Sequence, residues 1–221
     1  MVESRLRWAV AALALLAIAA PMAFAADEAP PAWRGQSGTT FQQWNFASDA
    51  NPAAPELANN PYGAPSAAIT VGDFGSGWQN QLDGMGNATG YWDLGSAGTM
   101  VFDIPNTADP VPFTEVWIQV TCFVDITDVP AVSVANGTEI DGEMFITEDV
   151  ETGGFWVLSQ SLWQVQPSSG SNIITLTGDP DWGAVVDSVV VDTRAAVVPE
   201  PASMTALLFG AVGILVRRRR A

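Results

Sequence analysis

From Thr39 to Thr193 apolar and polar residues alternate with a period of two in short runs, and no stretch shows the capped 3.6-residue apolar period of a helix. The clearest run is Glu115 to Ile126, where Ile118, Val120, Cys122, Val124 and Ile126 form one set and Trp117, Gln119, Thr121, Phe123 and Asp125 the other. The first set is expected to face a core, as is the set Met100, Phe102 and Ile104 within Gly98 to Ile104. Thr39–Phe46, Ala67–Val71, Thr89–Leu94, Ala131–Ala135, Glu143–Thr147, Gly154–Gln166, Asn172–Thr177 and Ala184–Thr193 complete the series, with Trp44 and Trp163 as expected core anchors. Turn residues punctuate the runs. Asn136-Gly137 and Asp141-Gly142 both read as two-residue hairpin turns, but only Thr138 to Ile140 separates them; the Asn-Gly pair is the expected hairpin and the other a bend. Ala47 to Pro65 reads as a long irregular excursion, and Gly72 to Gly90 as a glycine-rich loop. Asp73-Phe74-Gly75 and Gly75-Ser76-Gly77 imitate kinase and nucleotide-loop signatures without the strand, helix or lysine that chemistry needs, so both read as turns. Roughly ten such runs predict an all-β fold, an antiparallel β-sandwich over residues 39–196.

Both ends of the chain depart from this pattern. Arg5 and Arg7 precede an apolar stretch from Trp8 to Ala20 and the small-residue sequence Ala23-Phe24-Ala25, which reads as a cleavable signal peptide over residues 1–25, engaging Sec-type export machinery. Residues 26–38, rich in Ala, Pro, Gly and Ser, read as a linker. At the other end, residues 197–221 hold a stiff Pro199-Glu200-Pro201 triplet, a charge-free apolar run over about 202–216, and the cluster Arg217, Arg218, Arg219 and Arg220. The run suits a transmembrane helix. At about 1.5 Å per residue it reaches about 22 Å against a hydrocarbon core of about 30 Å, a gap the arginines narrow by snorkelling. A basic cluster beside such a helix stays cytoplasmic and leaves the rest of the chain on the far side.

The order triplet, apolar run, arginine cluster, with the fuller form Val198-Pro199-Glu200-Pro201, resembles the PEP-CTERM sorting tail of exported bacterial proteins. That resemblance implies a membrane-anchored precursor in the inner membrane, processing near the triplet by an exosortase-type enzyme, and delivery to the cell surface or an extracellular polysaccharide matrix. It concerns destination and not the body.

Charge narrows what the body can do. The whole chain carries a net −16, but six of its eight arginines lie in the end segments, so residues 26–196 hold 22 acids against Arg34 and Arg194, a net −20. Such a surface repels phosphate backbones and excludes nucleic acid as a partner. The chain has no histidine and no lysine, which removes Ser-His and Cys-His nucleophile pairs, His-dependent zinc sites and Schiff-base chemistry. Cys122, the only cysteine, lies in the core set and reads as a small buried hydrophobe.

Two kinds of site remain. Calcium, which takes six to eight oxygens, would suit Asp179 and Asp181 in the GDPDWG turn or Asp125 and Asp128 after the middle strand; the plainer alternative is a set of solvated turn acids, with no cofactor. Sugar binding uses aromatic rings flanked by amides, for which Trp117, Gln119 and Phe123 on the non-core face of their strand, and Trp78 and Trp182 in loops, are the candidates. The plainer alternative there is that the Ala47 to Pro65 loop covers the rings. The Gln43-Trp44 strand, the run EVWIQVTCF and the closing run WGAVVDSVVVDT resemble the jelly-roll, galactose-binding-like sandwiches of secreted bacterial proteins. Together these features favour a non-enzymatic surface or matrix protein with a structural or carbohydrate-associated role. Two alternatives stay open: a carboxylate-dependent glycosidase or lyase, and a passive acidic cation-binding component.

Overall fold

The structure is a computed structural model that describes residues 29–80, 90–149 and 153–196. The expected signal peptide and the whole sorting tail, with Val198 to Pro201, the apolar run and Arg217 to Arg220, lie outside the described residues. The described chain folds into strands: β1 (Thr39–Trp44), β2 (Leu57–Asn59), β3 (Ser66–Thr70), β4 (Gly77–Gln79), β5 (Tyr91–Asp93) and β6 (Thr99–Pro105), then β7 (Phe113–Val124), β8 (Ala131–Val134), β9 (Gly137–Asp149), β10 (Phe155–Val165), β11 (Ser171–Thr177) and β12 (Val185–Ala196). Among the described residues no helix is long and apolar enough to cross a membrane.

Every strand pairing is antiparallel, and the strands form two sheets arranged as a sandwich. The larger runs β2-β1-β12-β7-β10-β9, with β5 also paired to β12 and β4 to β5; the smaller runs β3-β6-β11-β8. Alternation explains the packing, because a period of two sends one set of side chains from each strand between the sheets. Trp44, Ile118, Val120, Trp163, Val189 and Val191 from the larger sheet meet Ile69, Met100, Phe102, Ile174 and Leu176 from the smaller in one buried cluster. Trp44 meets Phe102 edge-on at 4.9 Å. Each such fully buried side chain contributes about 1.5–3 kcal/mol.

Three sequence expectations are corrected here. Asn136-Gly137 does turn the chain, with Asn136 at φ 58°, but it carries β8 of one sheet into β9 of the other instead of closing a hairpin. Asp141-Gly142 is no turn, since both residues lie within β9 and pair with Leu162 and Ser161 of β10. β7 ends at Val124, so Ile126 stands beyond the ladder and is exposed although its parity matched the core set.

Residues 29–38 also differ from the linker that their composition suggested. They cross the outer face of the larger sheet and are tied to it at several points. Arg34 grips the fully buried Asp192 of β12 through Nε–Oδ1 and Nη2–Oδ2, both 2.6 Å, while its guanidinium lies 4.2 Å from the Phe41 ring centroid. Arg194 pairs with Glu115 and sits over the Trp33 ring.

Candidate functional site

At one end of the sandwich four loops interlock through backbone hydrogen bonds. The Ser96 N–H donates to Asp73 O (2.8 Å), Ala97 N–H to Asp179 O (3.2 Å), Gly178 N–H to Gly98 O (2.8 Å) and Asp128 N–H to Gly183 O (3.2 Å). Glycine permits this approach. A Cβ on Gly72 would stand 1.9 Å from Ser96 O, and Gly95, at φ +64°, has the Gly75 amide nitrogen 2.3 Å from where a Cβ would be. The loops therefore form a close-packed scaffold made largely of backbone.

Three large apolar side chains stand out from that scaffold into solvent: Phe74 is 97% exposed, Ile126 74% and Trp182 63%. Phe74 also holds a left-handed φ of 64°, a conformation that costs an aromatic residue of the order of 1–3 kcal/mol. A turn glycine there would be free of that cost. The chain instead presents a phenyl ring to water on a rigid mount, with Trp182 on the neighbouring loop.

The acids of the same loops are engaged in holding it. Asp179 Oδ1 accepts the N–H groups of Asp181 (2.8 Å) and Trp182 (2.9 Å), so this carboxylate fixes the turn that carries the indole. Asp125 Oδ1 accepts the Thr127 N–H (3.0 Å), Asp128 Oδ1 the Val129 N–H (2.7 Å), and Asp93 Oδ2 both the N–H and the Oγ–H of Ser76. The structure thus brings the Asp125–Asp128 and Asp179–Asp181 loops together, as neighbouring turns. Among the described residues no group of three or more His, Cys, Asp or Glu side chains is placed to hold a metal ion.

The other ring candidates are in different settings. Trp78 is half-buried against the core and donates from Nε1 to Phe46 O (2.8 Å). Trp117 is half-buried and donates to Ala29 O (3.2 Å), while the buried Gln119 accepts the Ala29 N–H through Oε1 (3.2 Å). Phe123 is buried with Tyr91, Trp156 and Val185. What meets Trp117 and Gln119 is Ala29 of the N-terminal segment, and what covers Phe123 is Tyr91, Trp156 and Val185, in place of the expected Ala47 to Pro65 loop. A groove of about 410 Å³ opens beside that segment, lined by Ala29, Phe145, Ile146, Thr147, Leu158 and Gln160. Among the described residues its lining is apolar, hydroxyl and amide.

The buried thiol of Cys122 is pushed up to about 12, by desolvation first and by the charge of Asp128 second, which makes it inert. Burial pushes the Asp192 carboxyl upward too, against the opposing pull of Arg34. Of the exposed loop residues, sequence reasoning named only Trp182. Phe74 was legible in principle as a bulky residue isolated in Gly72-Asp73-Phe74-Gly75-Ser76 with no alternating partner; Ile126 was masked by its parity with the core set.

No family model matches this chain, and no curated protein matches it.

Proposed function

We propose that this is an exported, non-enzymatic protein of the cell surface or extracellular matrix, delivered by its C-terminal tail and associated there with carbohydrate. The observation that carries the destination is the sequence of triplet, apolar run and arginine cluster from Val198 to Arg220, at the opposite end from the signal-like N-terminal stretch. In this reading Pro199-Glu200-Pro201 is the grip of an exosortase-type enzyme, residues of about 202–216 halt export as a membrane helix, and Arg217 to Arg220 fix its orientation. The body is a jelly-roll-like sandwich, a reading supported by the way the chain passes between the two sheets at β6 to β7, β7 to β8, β8 to β9, β10 to β11 and β11 to β12. The carbohydrate association rests on Phe74 and Trp182, two exposed rings on a preorganised mount, in a setting whose negative charge disfavours anionic polymers. Neutral polysaccharides, whose C–H faces stack on aromatic rings, fit best.

Replacing Pro199-Glu200-Pro201 by Ala-Ala-Ala should leave the precursor unprocessed in the membrane fraction, by intact-mass spectrometry and fractionation. Recovery of a full-length wild-type chain, uncut at both ends, from the soluble interior of the cell would contradict the reading. For the rings, Trp182→Ala and Phe74→Gly should each lower retention on neutral insoluble polysaccharides such as cellulose or agarose by at least about fivefold, equivalent to about 1 kcal/mol. Phe74→Gly should not lower the melting temperature, since glycine adopts that φ without strain. Unchanged retention in both variants would remove the carbohydrate role and leave the destination untouched.

A further inference from the structure

Between the sheets, the end of the sandwich where β12 finishes at Ala196 is lined with amides and hydroxyls. Thr40, Gln42, Thr114, Asn172 and Thr193 are each no more than 1% exposed. Alternation turns all of them inward: Thr40 and Gln42 share the face of Trp44, Thr193 that of Val191, Thr114 that of Val116, and Asn172 that of Ile174 and Leu176. Most have partners. Asn60 Nδ2 donates to Gln42 Oε1 (3.2 Å), Gln42 Nε2 to Thr40 Oγ1 (3.3 Å), and Thr40 Oγ1 meets Thr193 Oγ1 (2.8 Å). A second chain runs from Asn106 Nδ2 to Thr114 Oγ1 (2.9 Å), which meets Ser168 Oγ (2.9 Å). Asn172 joins neither. Its Nδ2 and Oδ1 are both buried without a hydrogen-bond partner among the described residues, and exchanging the two atoms of the amide leaves both still unmatched.

We infer that Asn172 is a binding site for internal water, with Nδ2 donating to a water oxygen and Oδ1 accepting a water hydrogen, and that this water links Asn172 to the chain Asn106–Thr114–Ser168. The register places the two together. Asn172 stands opposite Ile104, and the Asn106 N–H donates to Gly170 O (2.9 Å), so Asn106 and Asn172 are diagonal neighbours. Such neighbours have Cα atoms about 7–8 Å apart, a span that two side chains and one water, held by hydrogen bonds of about 2.8 Å, can bridge. Water supplies both a donor and an acceptor, which is what an amide lacking both requires, and buried waters bind where buried polar groups are otherwise unmatched. The energetics favour it too, because an orphaned donor and an orphaned acceptor in a core together cost more than the immobilisation of one water. An apolar ligand would leave both atoms unmatched. A water held here exchanges slowly, since Asn172 is sealed from the surface by the two sheets.

Relaxation dispersion of the water oxygen nucleus counts long-lived internal waters and is blind to hydroxyl protons. In the full-length chain, Asn172→Leu, which keeps the shape and removes both polar atoms, should lower the dispersion amplitude by at least about one water per chain. Ser133→Ala, at an exposed position on β8, sets the experimental scatter. A folded Asn172→Leu protein whose amplitude equals that of the parent would overturn the proposal, because the amide would then be dry. If the leucine variant does not fold, the unaltered chain decides through nuclear Overhauser contacts from water to the Asn172 side-chain amide protons. Contacts with the sign of a long-lived complex support the site, and their absence overturns it.

Discussion

Replacing Arg34 by methionine is expected to cost the fold about 3–5 kcal/mol, the range found when one member of a buried ion pair is removed. Asp192 has no residual exposure, and it lies on the outer face of β12 between Phe41 of β1 and Trp117 of β7. Its two oxygens are matched by two guanidinium nitrogens at 2.6 Å, a bidentate fit that lysine could not reproduce. Without Arg34 the carboxylate must either stay charged in an apolar setting or take up a proton. Burial already pushes its pKa upward, so the proton is the cheaper course and the loss should be smaller at acid pH. The pairing of Arg34→Met with Asp192→Leu should recover most of the stability, because the site is lined by Phe41 and Trp117 and would accept an apolar replacement. Urea denaturation of the single and double variants measures this. A loss below about 1 kcal/mol for Arg34→Met would mean that Asp192 is reached by water and that segment 29–38 is only loosely held.

That same contact shows where sequence reading stopped. The sandwich was legible because alternation is a local property: Met100, Phe102 and Ile104, or Ile118, Val120 and Cys122, announce a buried face within five residues. The partner of Arg34 stands 158 residues away, and nothing in the composition of residues 26–38 distinguishes a free linker from a segment laid across a sheet. The fate of Trp117 and Gln119 followed from that, since a strand's outer face is open or covered according to what else crosses it, and Phe123 is covered instead by Tyr91, Trp156 and Val185. Ile126 failed for a different reason. Alternation gives the parity of a residue but not the point where the ladder ends, and two residues beyond Val124 the same parity points to solvent. For the loop scaffold the glycines were visible but not their partners. Gly75, Gly95 and Gly183 meet across three separate chain segments, and only their convergence puts the loops of Phe74 and Trp182 side by side on one end of the molecule.

Asp187→Asn is expected to stabilise the protein by about 2–4 kcal/mol above pH 7 and to change nothing below pH 4. Asp187 is the extra residue where the β12–β7 register shifts between Val186 and Ser188, so its half-buried carboxyl has no strand partner opposite it. Desolvation alone pushes its pKa from 3.8 to about 7. A folded-state pKa above the unfolded one means that the fold binds the proton more tightly. The stability this contributes is fully present below about pH 4, declines as pH rises, and is lost once pH passes about 7. Three units correspond to about 4 kcal/mol at most, and the water that the residue still touches sets the lower end of the range. Asparagine keeps the shape without the ionisation, so the difference between variant and parent should open between pH 4 and 7 and then stay level. Reading the difference cancels the general repulsion among the other acids, which also grows with pH. Melting curves of both proteins from pH 4 to 8 provide the check, and parallel curves throughout would show that Asp187 titrates like an ordinary surface carboxylate.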